Sequence, residues 1–319
     1  MTSTGDSSES SSLPIGQPSL NKSLGRASLS ASELISHILV RGAALLTIVT
    51  TLGILWVLVS EVGLFFSNIG VLDFLFGLEW SALIEPRKFG VIPLVTGTLM
   101  IGLGAAAFAV PIGAGCALFL SEYVRGRKKQ ILKSIVEVLA GIPSVVYGFF
   151  ALSYVTPLLG KIFPEIQFFN ALSAAIVVGM MVIPTIASMS QDAFEAVPRE
   201  LRDAAYGLGA RKYQVATTVV FPAALSGFIA SVILAFARAI GETMAVTLAA
   251  GSTPNLTWNP LESVQTITAY IVQVSLGDTP SGTIEYSSIF AVGLVLFGMT
   301  LFMNLTAQLV VKRFHERYH

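Results

Sequence analysis

The chain has 319 residues, of which 54% are hydrophobic and only 12% charged, against the roughly 25% charged of a soluble domain. Lys and Arg number 19 and Asp and Glu 19, so a formal net charge of zero offers no electrostatic case for nucleic acid. The one cysteine, Cys116, excludes an internal disulfide, and His37, His315 and His319 lie outside the apolar blocks, which argues against a membrane-embedded histidine metal site or proton relay.

Residues 1–32 are Ser-rich, with Pro14, Pro18 and few large hydrophobes, and read as a disordered tail because such a segment cannot bury enough apolar surface to fold. No cleaved signal peptide is expected, since the first apolar block begins near Ile38 and is too long for an h-region. A bilayer core of about 30 Å requires roughly 20 apolar residues per helix. Six segments of the 33–319 membrane domain meet that: 38–66, 91–121, 135–160, 170–190, 223–250 and 287–311. The expected fold is an all-α polytopic membrane protein. Pro111 with Gly113 and Gly115 marks an expected break in the second span. In the third, Gly141-Ile142-Pro143-Ser144 removes a backbone donor, whose neighbours must then be satisfied by protein or by a wet cavity. A simple packing kink is the alternative at each site.

Loop charges predict the sidedness. Arg125, Arg127, Lys128, Lys129 and Lys133 lie between spans two and three, Arg199, Arg202, Arg211 and Lys212 between four and five. Lys22, Arg26 and Arg41 sit at the start of the chain and Lys312, Arg313 and Arg317 at its end, while the alternate loops hold only Arg87, Lys88 and Lys161. The positive-inside rule puts both termini in the cytoplasm. Loop 67–90, with Leu72, Phe74, Leu75, Phe76 and Trp80, has the composition of a segment lying in the membrane interface. Loop 251–286, with Trp258 and Tyr270, reads either as an outer partner contact or as a plain connection.

Loop 191–222 is long without being Gly/Ser-rich. Asp192–Leu201 and Asp203–Tyr206 read as helical with Pro198 as a first-turn residue, Gly207 and Gly209 break the pattern, and Arg211–Val220 resumes it before Pro222. Asp203-Ala204-Ala205, three residues, Gly209, nine residues, then Val219-Val220-Phe221-Pro222 resembles the "EAA" loop of ABC-importer permeases, with Asp for Glu, Val for Ile and Phe for Leu. In that family the loop forms the coupling helix that sits in a cleft of the ATPase subunit. The sequence has no G-x-x-x-x-G-K-[ST] stretch, so an ATPase driving this chain would be a separate polypeptide.

Span five carries Arg238 and Glu242, an i,i+4 pair expected on one helix face. Arg238 falls roughly 24 Å along a straight helix from Pro222, where a charge costs at least about 2.5 kcal/mol. The pair reads either as a register-fixing salt bridge or as a fork of donors for a tetrahedral anion, with Glu242 tempering the charge. Ala237-Arg238-Ala239-Ile240-Gly241-Glu242-Thr243-Met244-Ala245 resembles the "RAxGET" signature of permeases in phosphate-specific (Pst) ABC importers. Ala140-Gly141-Ile142-Pro143-Ser144-Val145-Val146-Tyr147-Gly148 resembles a second motif of these subunits, and Phe89-Gly90 through Thr98-Leu99 looks like the PstC type rather than the PstA type.

The resemblance implies the type I ABC-importer permease fold and a non-catalytic subunit of the bacterial inner membrane that moves phosphate by alternating access. It also implies a PstA-like second permease, two ATPase subunits that bind ATP and Mg, and an external phosphate-binding protein. The chain itself is expected to hold no cofactor, metal or catalytic residue. Arg238 and Glu242, with Ser144, Tyr147 and Thr243, are the candidate pathway residues; Asp203, Ala204, Ala205, Gly209 and Pro222 are the candidate ATPase contacts. Other oxyanions (sulfate, molybdate, phosphonate) fit the pair as well. An ion-coupled carrier using Glu242 as proton site is a further alternative, weakened by the lack of apolar-block carboxylates beyond Glu61 and Glu137.

Overall fold

In the computed structural model, which describes residues 31–315, the apolar runs are helices and the connections between them carry more structure than their composition predicts. The expected tail lies outside the described residues except for its last two, which open the first helix. Residues 31–54 are one unit, an exposed helix; a second unit begins at Leu55 and runs to the end.

In chain order, α1 (Ala31–Phe66) is followed by a short α2 (Val71–Phe76) and a two-stranded hairpin of β1 (Trp80–Ser81) and β2 (Lys88–Phe89). The second span is α3 (Ile92–Leu118), extended by a π-helical turn at Phe119–Tyr123. Then come α4 (Arg127–Ala140), α5 (Ser144–Phe150), a π-helical turn at Ala151–Val155, and α6 (Thr156–Gly160). The fourth span is α7 (Ala171–Glu195), leading to α8 (Arg199–Gly207) and α9 (Lys212–Gln214). A third π-helical stretch, Val215–Val220, joins α10 (Phe221–Ala223), and α11 (Leu225–Ile240), α12 (Met244–Ala250), α13 (Ile267–Leu276) and α14 (Ile284–His315) complete the chain.

Among the described residues, four helices are long and apolar enough to cross a membrane unbroken, and counting each of two bent helix pairs as one span makes six. The bend in the third span falls at the Gly141–Ser144 stretch where a break or kink was expected, while the bend in the fifth corrects the straight helix expected there. The third span turns by 82° at Gly141–Pro143, between α4 and α5–α6. Its first arm, α4, buries no residue. Lys129 and Lys133 tie it to Glu195 (2.7 Å) and Asp192 (3.4 Å) on α7, while Ile131, Ile135 and Val138 stay exposed. The fifth span turns by 73° at Ala224 and its helix stops at Ile240, ten residues short of the expected end. Pro111, by contrast, breaks nothing: α3 runs through it, as packed membrane helices permit when neighbours re-satisfy the freed groups.

The core is built from α3, α7 and α11, where Ala105, Ala109, Ala174, Val178, Met181 and Ala235 are buried together. Small side chains let the helix backbones approach closely, the usual source of cohesion between apolar helices. Buried polar groups meet within this core. Ser190 and Ser231 hydroxyls meet at 2.7 Å across α7 and α11. Asn170, fully buried, accepts from the Ser173 N–H (2.7 Å) as the N-cap of α7 and donates to Thr156 (3.3 Å).

Loop 67–90 and α13 make a second cluster. Phe65, Phe74, Trp80, Phe89 and Tyr270 are buried edge-to-face, with centroids 5.5 Å apart for Phe65–Phe74 and 4.8 Å for Trp80–Tyr270. The interfacial expectation for this loop therefore applies to Leu72 and Phe76, which are exposed, and fails for Phe74 and Trp80. Loop 251–286 is no plain connection either, since α13 inserts Tyr270 into the same cluster, where burial pushes its phenol up to about 12 and its hydroxyl meets Ser288 at 2.6 Å. The hairpin closes through a direct backbone contact: a Cβ on Gly90 would lie 2.3 Å from the Gly77 carbonyl carbon.

Gly90→Ala is therefore expected to destabilise this cluster by about 1–3 kcal/mol. Thermal unfolding in detergent checks it, with Gly298→Ala, where a Cβ meets nothing within 4 Å, as the control that should not shift downward.

Candidate functional site

Two stretches singled out by the sequence are built by distinct local devices. The first is the turn-and-helix element after α7. Pro198 is the N-cap of α8, with ψ 142°, rather than a first-turn residue, and α7 has already ended at Glu195. Along α8 only Arg202 and Ala205 are half-buried; Arg199, Asp203, Ala204 and Tyr206 are exposed. Those two inward positions are three apart, one face of a helix, so the element turns one small and one charged residue inward and presents the rest outward.

The spacing of the Asp-Ala-Ala…Gly pattern has a geometric cause here. The Gly209 N–H donates to the Tyr206 carbonyl (2.9 Å) and the Ala210 N–H to the Ala205 carbonyl (3.1 Å). Those are the two bonds of a Schellman cap, which needs a left-handed residue at the position Gly209 occupies, and Gly209 has φ +84°. Ala205 and Ala210, the two ends of the longer bond, both pack on the core cluster. The chain restarts with the Arg211 N–H donating to the Gln214 side chain (2.7 Å), half of a capping box. Phe221 then packs at a tilt against Phe194 and Phe228 (5.9 and 5.1 Å between centroids) at the bend that Pro222 precedes by two residues.

The second stretch, 238–245, departs from expectation. Arg238 and Glu242 are not a pair. Gly241 caps α11 at its C-terminus, so Glu242 lies beyond the helix that carries Arg238 and the i,i+4 relation is broken. Among the described residues no ion pair joins them. Arg238 is exposed and its Nη1 donates to the Thr185 hydroxyl on α7 (3.1 Å). The Glu242 carboxylate accepts from the Ala245 N–H (3.2 Å) at the start of α12, where the helix end favours negative charge. Its carbonyl accepts from Thr268 on α13 (2.7 Å). Thr243 donates to the Gly241 carbonyl (3.2 Å) and so braces the same break.

The Gly-Ile-Pro-Ser motif sits beside this one, because α5 packs on α12. Ser144 opens α5 and is half-buried. Tyr147 is buried, and its hydroxyl donates back across the bend to the Leu139 carbonyl near the end of α4 (3.0 Å). Tyr147 thus caps a broken helix, a role its position in the motif did not disclose. The structure brings α5, α11, α12 and α7 together around the two motifs, and Thr185 and Thr268 are members that the sequence left unmarked; Thr185 directly follows Pro184 within α7.

With the geometry in place, comparison with known proteins is informative. The family described as binding-protein-dependent transport system inner membrane component matches residues 109–316. The probable ABC transporter permease protein YqgH of Bacillus subtilis is 34% identical over 248 residues, 77% of this chain and 80% of that one. The phosphate transport system permease protein PstC of Mesorhizobium japonicum is 32% identical over 324 residues, 96% of this chain and 97% of that one. Among solved structures, a bacterial alginate ABC transporter in complex with an alginate-bound periplasmic protein aligns with a TM-score of 0.60, 18% identity, 88% of this chain and 96% of that chain. The MetNI methionine ABC transporter in an inward-facing form aligns at 0.55 and 18%, over 69% and 95%. At those identities the likeness concerns the fold, that of type I ABC-importer permeases. The chain belongs to the binding-protein-dependent transport system inner membrane component family, as a multi-pass, non-catalytic permease subunit of an ABC transporter.

Proposed function

We propose that this chain is the PstC-type permease of an ATP-driven phosphate importer in the inner membrane, with both termini in the cytoplasm. Its partners in that reading are a PstA-like second permease, two ATPase subunits that carry the ATP and Mg, and an external phosphate-binding protein. The carrying observation is α8. It exposes Asp203 and Ala204 for an ATPase cleft while Ala205 and the Gly209 cap hold it to the core. Phosphate as cargo is supported by the PstC relative that aligns over nearly the whole chain, and by the chemistry of Arg238. That guanidinium spends one donor on Thr185 and keeps the rest of its planar fork for an oxyanion.

In this reading Glu242 does not temper the charge of Arg238 by contact. It caps α12 and keeps the Gly241–Thr243 break open, so that Arg238 ends its helix beside an irregular segment. Such breaks are where membrane transporters place ion sites. ATP-driven closure of the ATPase dimer would displace α8, and the bends at Ala224 and Gly141–Pro143 are the places where the spans can re-angle to change access.

Labelled-phosphate uptake into vesicles holding the whole complex tests the pathway assignment. Arg238→Gln is expected to lower uptake about tenfold or more with assembly and ATP binding preserved; unchanged uptake would reduce Arg238 to a brace on Thr185. Uptake that continues without any ATPase subunit would replace the importer by an ion-coupled carrier.

Gly209→Val tests the coupling assignment separately. A β-branched residue at φ +84° costs about 1–2 kcal/mol and opens the cap, so ATP-driven uptake should collapse in complexes that still assemble. Normal uptake would show that α8 is not the coupling element.

A further inference from the structure

Arg202, the charged residue that α8 turns inward, is tied into two spans at once. Its Nε and Nη2 donate to Glu122 Oε1 (3.3 and 3.1 Å), its Nη2 also donates to the Phe194 carbonyl (2.6 Å), and its Nη1 to the Val197 carbonyl. Glu122 belongs to the π-helical turn that ends α3, and Phe194 lies in the last turn of α7. The side chains are 15% and 8% exposed, and Glu122 Oε1 is additionally held by the Ser121 hydroxyl (3.0 Å). A guanidinium is a rigid planar fork, and here its branches tie α8 to the Glu122 carboxylate at the end of α3 and to two carbonyls at and just past the end of α7.

No residue of α8 is fully buried, so apolar packing through Ala205 alone holds the element loosely. The Arg202 fork adds direction. A force on α8 along the Arg202 side chain reaches the end of α3 through a charge-assisted bond, and the end of α7 through the Phe194 carbonyl, which also accepts the Val197 N–H just past the helix (3.3 Å). Around it lies a cavity of about 630 Å³ lined by Ser121, Glu122, Arg125, Lys129, Glu195 and Arg199 among others, so no tight shell of side chains replaces the fork as a mechanical contact.

We propose that the Glu122–Arg202 ion pair is the strut that converts displacement of α8 into movement of the second and fourth spans. It is a positioning pair, distinct from the outward-facing Asp203 and Ala204, and it sets how much transport each ATP hydrolysis drives. The proposal rests on the ATP-driven importer reading.

The test uses the full complex in proteoliposomes with the binding protein outside, measuring labelled-phosphate uptake and ATP hydrolysis on the same vesicles. The variants are Arg202→Gln, Glu122→Gln and both together, with Gly209→Val as the reference for lost coupling. Uptake per ATP should fall about threefold or more in each single variant, and the double variant should be no worse than the more severe single, because one link is removed only once. Glu122→Gln is nearly isosteric and decides the matter if Arg202→Gln fails to assemble. A ratio within about twofold of wild type in the single variants, while Gly209→Val has lost it, overturns the strut and leaves the importer reading standing. Wild-type uptake that ignores ATP overturns both.

Discussion

An unpaired backbone N–H or C=O inside hydrocarbon costs several kcal/mol, and a chain that bends two of its six spans creates extra helix ends that must all find partners. In this permease the partners are side chains from a few positions. Tyr147 reaches back to the Leu139 carbonyl, Glu242 takes the Ala245 N–H, and Thr268 covers the Glu242 carbonyl. Asn170 and Thr266 cap α7 and α13 through Ser173 and Ala269. Two of these end-satisfying groups, Tyr147 and Glu242, belong to the motifs that mark the chain as a permease. Their first task is to make broken helices tolerable in an apolar setting.

That constraint shapes the functional arrangement. Because Gly241 stops α11 and α12 begins only at Met244, with the Glu242 carboxylate turned to the Ala245 N–H, Arg238 stands at a helix end, and among the described residues no ion pair reaches it. It is exposed in this single chain and its described contact is a neutral hydroxyl. At the other end of the same spans, α8 is held by the Arg202 fork and by the Schellman cap at Gly209. The two ends share α7, which gives Thr185 to one and the Phe194 carbonyl to the other.

Much of the architecture was legible in the chain. The six apolar runs became helical spans, two of them bent, and the glycine turn read at Gly207 and Gly209 is a left-handed cap at Gly209. The misreadings share one cause. The i,i+4 argument for Arg238 and Glu242 assumed an unbroken helix, although Gly241 stands between them, and Pro111 was given a break that the packed α3 does not make. Whether a glycine or proline ends a helix depends on what can satisfy the freed groups. Those partners, such as Thr268 for Glu242, lie tens of residues away in sequence. Loops 67–90 and 251–286 were underestimated for the same reason, since Trp80 and Tyr270 are buried against each other and against Phe74, Phe89 and Ser288, which come from separate stretches of chain.

By itself, then, the sequence determined that this is a membrane protein of six spans, through run length and charge depletion, and that a glycine-capped helix precedes the fifth span, through local spacing. Both properties depend on residues a few positions apart. Tertiary structure alone decided where the spans bend, that Arg238 and Glu242 part company, and that Arg202 grips Glu122 across 80 positions of chain. Those outcomes depend on which distant side chain arrives to satisfy a helix end or a buried charge, and periodicity along one helix carries no information about that.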